Sequence, residues 1–501
     1  MTKRITVAPM TRVSGLLSVE VIVDGNVVVD AKASGGQFRG FEMMMVGRHA
    51  TDAPYFTQRI CGICSAAHGY AGAMVSDRAY GNVLPPNGWI LRNFIVGSEM
   101  LQNQIRHFYL LGLPDYVEFP PVPPFQRPEG SDFRLGASAT GRMLENYVRA
   151  VDASRKCHEM LCVFGGKIPH QHGMVPGGVS VPVTADRVLK CLSLLEDVIS
   201  FLDDCYLPDT EIIASAYEDY FHIGGRPPRF FSSGLFRTGP RMDIPLTAPG
   251  SLADGRLEPL DTTFIREHLR HSWLTARTPD GPPEPDPGKP GAYTWCAAPR
   301  YRGLAFEVGP LARQSVKAAH ERALNGVKGL LVERDPAPSC GPAGAAFPRG
   351  AATMDRIAAR TAEAREIASI LWDFLKALEP GGPTMSHNPS PVESCVSAMV
   401  EAPRGTLNHT MLLEGEQVLK YNIITPTAWN FSPHDDAGNP GPVEEALIWT
   451  RLADPHHPVE IGRIIRAFDP CMSCATHVIR PRGMTMGATF PAPNEGGNSD
   501  A

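Results

Sequence analysis

The chain has 501 residues, with 47 Lys+Arg against 53 Asp+Glu and a formal charge of −6. So slight an acidic excess on a long chain gives no electrostatic basis for nucleic acid as the main partner. Hydrophobic residues make up 43%, enough to bury a sizeable core, which excludes global disorder.

The opening MTKRITVAPMTRV has no apolar signal-peptide core, and nothing in the chain approaches about 18 uninterrupted apolar residues. A cytoplasmic chain without a membrane span is therefore expected. Leu17, Val19, Val21 and Val23 alternate with polar residues, Asp24-Gly25-Asn26 makes a turn, and Val27 to Val29 resume the apolar run. That pattern predicts an N-terminal β region. From Asn87 to Leu111 apolar residues recur at helical spacing (Leu91, Phe94, Ile95, Leu101, Ile105, Phe108). A second helix is predicted from about Ala139 to Phe164, stopped by Gly165-Gly166, and a third from an N-cap at Thr184 to Pro208. Residues 278–292, TPDGPPEPDPGKPGA, carry six prolines and read as a solvated loop insertion. A fourth helix runs from about Thr353 to Leu378, before Glu379-Pro380-Gly381-Gly382. The expected fold is α+β and predominantly helical, with a central bundle of long helices beside a small N-terminal β region. At roughly 100–200 residues per domain the length allows three domains or one large body. By composition alone the last residues, from Gly483, are a frayed end.

Eleven cysteines, an odd number thinly spread, do not form a secreted disulfide framework. Two Cys-x-x-Cys pairs stand out, Cys61/Cys64 and Cys471/Cys474, each followed by a histidine, His68 and His477. Such pairs place two thiolates on one side of a turn, suited to zinc, iron–sulfur or nickel. Zinc ribbons usually close within about 15–20 residues, whereas these pairs lie at opposite ends of the chain. A site built that way needs the whole fold, which is more typical of an active centre than of a local staple. Cys157, Cys162, Cys191, Cys205, Cys296, Cys340 and Cys395 are scattered and read as buried structural residues.

The flanking residues narrow the choice. Arg59-Ile60-Cys61-Gly62-Ile63-Cys64 through His68, and Asp469-Pro470-Cys471-Met472-Ser473-Cys474 through His477, closely resemble the two signatures of the nickel–iron hydrogenase large subunit. Phe38-Arg39-Gly40-Phe41-Glu42, Gly165-Gly166-Lys167-Ile168-Pro169-His170, Glu307-Val308-Gly309-Pro310, Glu401-Ala402-Pro403-Arg404-Gly405 and Pro426-Thr427-Ala428-Trp429-Asn430 resemble further blocks in the family's order. The likeness extends over nearly the whole chain.

The resemblance implies reversible heterolytic cleavage of H2 at a nickel–iron centre. Cys61 and Cys471 would be terminal nickel ligands, Cys64 and Cys474 would bridge to an iron carrying two cyanides and one carbon monoxide, and the Cys471 thiolate would accept the proton. Arg404 would lie over the open metal face with Asp115 and Asp469 paired around it. His68 would hydrogen-bond to a bridging sulfur, and Glu42 and His477 would ligate a magnesium-type ion near the C-terminus. An iron–sulfur small subunit would take the electrons, which leaves membrane association or export through that partner open. Nickel-insertion proteins and a maturation endopeptidase would act on the chain, the latter removing residues 478–501 to leave one body, 1–477. An H2-sensing regulatory subunit is the alternative reading. One departure matters: where the family carries an Arg-Ile-Glu-Gly-His-like block, this chain has Arg12-Val13-Ser14-Gly15-Leu16. Ser14 replaces the glutamate that usually relays protons, so a different exit route, through the Arg404–Asp115–Asp469 group, or slower turnover is expected.

Overall fold

The alternation near the N-terminus folds as predicted and is extended by one strand. The computed structural model describes residues 2–122, 130–276, 283–328, 350–386 and 388–475. Strands β1 (Thr2–Val7), β2 (Leu17–Asp24) and β3 (Val27–Gly35) form an antiparallel sheet in that order. Leu17, Val19, Val21 and Val23 are all buried, on one face of β2. They pack with Ile461, Ile464, Phe468 and Met472, so the N-terminal sheet braces the segment that carries the second cysteine pair.

The long helices are α1 (Ser65–Tyr80), α2 (Pro86–Arg106), α3 (Ala137–Gly165), α4 (Ala185–Phe201), α5 (Leu207–Ala216), α6 (Pro310–Lys328) and α7 (Thr353–Ala377). Helix α2 packs on α3 and α7, and α4 packs on both of those, which closes a four-helix arrangement with α1 alongside. Two boundaries differ from expectation. Past Arg106 the α2 hydrogen bonding widens into a π-helical turn, His107–Gly112. The helix predicted to stop at Pro208 instead passes through a second such turn, Leu202–Tyr206, into α5. Pro208 follows directly on this widened turn, near the start of α5. Glycine ends α3 as expected: Gly166 takes a φ of 82° and donates to the Cys162 carbonyl.

The β structure is not confined to the N-terminus. Strands β4 (Cys395–Ala402), β5 (Gly405–Glu414) and β6 (Gln417–Ile424) make a second antiparallel sheet, and α1 packs on β4 and β5. Short ribbons fill the middle of the chain. The proline-rich segment is more than a solvated loop. Pro283–Pro285 pairs with Leu274–Ala276, and Lys289 Nζ donates to the Leu269 and Leu274 carbonyls, each at 2.6 Å. Cys157, Cys191, Cys205 and Cys296 are buried as expected, but Cys162 is half-buried and Cys395 lies exposed at the start of β4. Cys340 lies outside the described residues.

Candidate metal centre

The first cysteine pair is held by α2. Cys61 leaves a 3₁₀ turn in extended conformation, and Cys64 occupies the N-cap position of α1. A helix N-terminus leaves backbone N–H groups unpaired. Here a carboxylate from the neighbouring helix takes two of them: Glu99 accepts from Ala66 N at 2.7 Å and Ala67 N at 2.9 Å. One turn on, Asn103 Nδ2 donates to the Ile63 carbonyl at 3.0 Å. Glu99 and Asn103 are four apart, so one face of α2 fixes the Cys61–Cys64 turn.

The second pair is held by the N-terminal strand segment. Ser14 N donates to the Pro470 carbonyl at 3.3 Å, and Met472 N donates to the Ser14 carbonyl at 2.7 Å. Thr427 Oγ1 accepts from Cys471 N at 3.1 Å. Gly15 is required at this crossing. Its φ is +84°, and a Cβ there would lie 2.6 Å from Ser473 N.

The result is one cluster. Cys61 Sγ lies 3.4 Å from Cys471 Sγ, Cys64 Sγ 3.2 Å from Cys474 Sγ, and Cys471 Sγ 3.0 Å from Cys474 Sγ. All four sulfurs are within 4.8 Å of one another and buried. Thiolates about 2.3 Å from one tetrahedral metal ion would stand about 3.8 Å apart; the three closest pairs here, 3.0–3.4 Å apart, are drawn somewhat closer than that. The donor set is soft and buried, and it fits a thiolate-bound transition metal. The protons are unequally shared. Hydrogen bonds from Cys474, Cys61 and Cys64, with the charge of Arg404, hold Cys471 well below the usual thiol range. Cys64, by donating to Cys471, and Cys474, chiefly by burial, are pushed above it.

Arg404 shares the wall of a small cavity with Cys64, His68, Pro403, Thr427, Cys471 and Cys474. Its Nε donates to the Asp469 carbonyl at 2.9 Å, its Nη2 to Asp469 Oδ1 at 3.0 Å and its Nη1 to Asn103 Oδ1 at 3.2 Å. Burial alone would lower the guanidinium pKa, but Asp469 and the thiols of Cys471, Cys64 and Cys61 raise it well above the usual value, so Arg404 stays cationic. Asp469 reaches it from a left-handed backbone, φ 57°, at a cost on the order of 1 kcal/mol. Burial opposes its charge, but Arg404, His107 and Arg360 bring its pKa below the ordinary value. Asp115 does not join this pair. Arg466 takes it bidentately, Nε to Oδ2 at 2.5 Å and Nη2 to Oδ1 at 2.7 Å, and Arg12 bonds to the same carboxylate. Proximity along the fold to Arg12 and Arg466 decides that choice, which the sequence spacing does not contain.

His68 lines the sulfur cavity, and its Nδ1 lies 3.4 Å from His409 Nε2. Glu42 is on the wall of a separate cavity of about 50 Å³ with Glu267, Lys420 and Tyr421. Glu42 Oε1 accepts from Ile423 N at 2.9 Å. Burial pushes Glu42 up to about 8 and Glu267 up to about 7. As whole residues Glu42 is half-buried and Glu267 exposed, so the pair lies at the mouth of this cavity, where two carboxylates reached by water suit a hard divalent ion. His477 lies outside the described residues. Sequence reasoning missed Glu99, Asn103, Glu267, His409 and Tyr421. Only Glu99 and Asn103 left a signal, as polar residues four apart in a long helix with a strong apolar pattern.

The comparisons agree over the length of the chain. The family model for nickel-dependent hydrogenase matches residues 39–123 and 128–477. The periplasmic [NiFeSe] hydrogenase large subunit of Desulfomicrobium baculatum is 36% identical over 498 residues, covering 95% of each chain. The uptake hydrogenase large subunit of Rhodobacter capsulatus is 29% identical, covering 96% of each. A solved structure of the [NiFeSe] hydrogenase from Dm. baculatum superposes with a TM-score of 0.87 at 35% identity, covering 95% of this chain and 100% of that one. Among the described residues no helix is long and apolar enough to cross a membrane. With four converging thiols at its centre, the chain belongs to the nickel-dependent hydrogenase family: it is a hydrogenase large subunit, an oxidoreductase acting on H2.

Proposed function

We propose that this chain is the catalytic subunit of a nickel–iron hydrogenase that cleaves H2 reversibly and heterolytically and passes electrons to an iron–sulfur small subunit. The observation that carries this reading is the convergence of four buried thiols from both chain ends beneath the Arg404–Asp469 pair. Cys61, Cys64, Cys471 and Cys474 would hold the metal pair: Cys61 and Cys471 would serve nickel as terminal ligands, and Cys64 and Cys474 would be shared with an iron carrying two cyanides and one carbon monoxide. When bound, the metal pair supplies the electrophile against which the H–H bond polarises.

The remaining work falls to the chain. Cys471 Sγ is the proton acceptor, because as a metal-bound thiolate it would carry a free lone pair beside Arg404 and the Ser14 hydroxyl. Arg404, locked in charge and direction by Asp469, presents a cation to the open face of the cavity. Ser14 Oγ is 3.6 Å from Cys471 Sγ, and Gly15 beside it is exposed, so a proton leaves through this hydroxyl to nearby solvent. The exit expected through Arg404, Asp115 and Asp469 is not supported: Asp115 is taken by Arg466 and Arg12, and the Arg404–Asp469 ion pair holds both groups in their charged forms. Glu42, with Glu267 on the same cavity wall, would hold the magnesium-type ion; His477, the other expected ligand, lies outside the described residues.

The sequence contains no further cysteine block of iron–sulfur type, so the electrons leave by a partner. The names of the relatives, periplasmic and uptake, support export together with that partner and give the cytoplasmic expectation no support. Nickel-insertion proteins load the site, and an endopeptidase then cuts after His477 to leave one body, 1–477. Metal analysis and H2/D2 exchange on the purified complex test the whole reading. Nickel and iron with exchange activity are expected; zinc alone without exchange would overturn it.

A further inference from the structure

Three buried side chains form a hydrogen-bonded line behind the sulfur cluster. His68 on α1 faces the cavity of Cys64, Cys471 and Cys474, and its Nδ1 lies 3.4 Å from Nε2 of His409 on β5. His409 Nδ1 lies 2.8 Å from the hydroxyl of Tyr421 on β6. The ring centroids are 5.6 Å and 5.5 Å apart, and all three residues are buried. The far end of the line, Tyr421, is a wall of the cavity that holds Glu42 and Glu267.

A neutral imidazole has one N–H and one bare nitrogen, so each hydrogen bond in such a line dictates the next. The 3.4 Å approach of His68 Nδ1 and His409 Nε2 requires that one of these two nitrogens carry no proton. Burial and the charge of Glu42 raise the Tyr421 phenol, so it keeps its proton. Two directions are available. In one, the phenol donates to His409 Nδ1, His409 Nε2–H donates to His68 Nδ1, and His68 is left with its N–H on Nε2. In the other every bond reverses, and His68 turns a lone pair toward anionic sulfur. The charge on the thiolates favours the first direction, in which every N–H points toward the cluster.

We propose that Tyr421 and His409 are positioning residues that lock His68 in the tautomer presenting an N–H to the bridging thiolates, and so tune the electron density of the metal pair. The inference rests on the hydrogenase reading and adds to it two residues that touch neither metal nor substrate. Outer hydrogen bonds of this kind commonly set which nitrogen of a histidine carries the proton.

The test is infrared spectroscopy of the carbon monoxide and cyanide on iron in the purified complex, with nickel and iron measured in every sample. An N–H bonded to a bridging thiolate withdraws density from iron, so its loss lowers the carbon monoxide stretch. Tyr421→Phe and His409→Leu are expected to shift that band to lower frequency. His409→Gln, whose amide NH₂ stands in for Nε2–H, is expected to keep it in place; if Tyr421→Phe does not fold, the Leu and Gln pair at 409 carries the comparison. Unmoved bands in metal-replete Tyr421→Phe and His409→Leu would overturn the relay alone. A parent complex without nickel, iron or the diatomic bands would overturn the hydrogenase reading and the relay with it.

Discussion

Arg313 offers the sharpest test of how the fold supports its centre. It is buried, and its five N–H groups all find acceptors: Nε and Nη2 on Glu363 at 2.5 and 2.7 Å, Nη1 on Glu401 at 2.7 Å, and the Ala402 and Pro403 carbonyls at 3.1 and 3.2 Å. Two of those acceptors are the backbone leading directly into Arg404. Replacing Arg313 by leucine leaves Glu363 and Glu401 buried without their cation. Breaking a buried pair in this way costs about 3–5 kcal/mol, and the two stranded carbonyls add about 1 kcal/mol or more each if water does not reach them. Arg313→Leu is therefore expected to destabilise the chain by about 4 kcal/mol or more in denaturant unfolding. Arg313→Lys keeps the charge but loses the planar fork, so about 2 kcal/mol is expected. Slackening of residues 402–404 also moves Arg404, so kcat should fall in Arg313→Lys while nickel content holds. A loss below about 1 kcal/mol in Arg313→Leu, with kcat intact in Arg313→Lys, would refute the argument that this residue fixes the arginine loop.

Ser14→Glu restores the carboxylate usual in the family beside Cys471; a rise in H2 oxidation with an altered solvent isotope effect is expected, and no change in either would rule out proton transfer at this position. Gly15→Ala places a Cβ 2.6 Å from Ser473 N at a φ of +84°, so most of the nickel should be lost on purification; full nickel occupancy would disprove the close approach. Burial raises Glu99 from 4.5 to about 7. Below about pH 4.5 the folded and unfolded forms are both protonated, and stability is then lost as pH rises until the folded group ionises near 7. At about 1.4 kcal/mol per pH unit between the two values the loss reaches about 3 kcal/mol. Glu99→Gln should flatten unfolding stability between pH 5 and 8, and a difference from the parent that does not vary with pH would count against it. Intact mass of the active complex should show a chain ending at His477, and a 501-residue chain in active enzyme would be incompatible with cleavage.

The parts of this protein that could be read from its sequence are those whose chemistry is local. Cys61/Cys64 and Cys471/Cys474 announce thiolate pairs by spacing alone, and β2 announces its buried face through Leu17, Val19, Val21 and Val23. The second sheet carried a similar signal. Val396, Ala398, Val400 and Ala402 alternate along β4, and Glu414-Gly415-Glu416 marks the turn between β5 and β6. That alternation is weaker because both faces of the sheet are partly covered, which blurs a period of two. Pairing between distant polar groups is a different matter. Nothing in the chain order assigns Asp115 to Arg466 rather than Arg404, or joins Arg313 to Glu363, because each choice is made by the crossing of helices far apart in sequence.

The same distinction explains where the active centre gains its precision. The ligands are local pairs, but every group that aims them arrives from elsewhere: Glu99 and Asn103 from α2, Ser14 from the N-terminal segment, and Thr427 from beyond β6. A thiolate pair on a flexible turn would accept zinc as readily as nickel, since affinity alone discriminates poorly between such metals. Fixing the two turns from three separate elements removes that freedom, so the site forms only when both ends of the chain are in place. Loss of any one brace should then lower nickel occupancy before it unfolds the protein, and this ordering separates a centre built by the whole fold from a local staple.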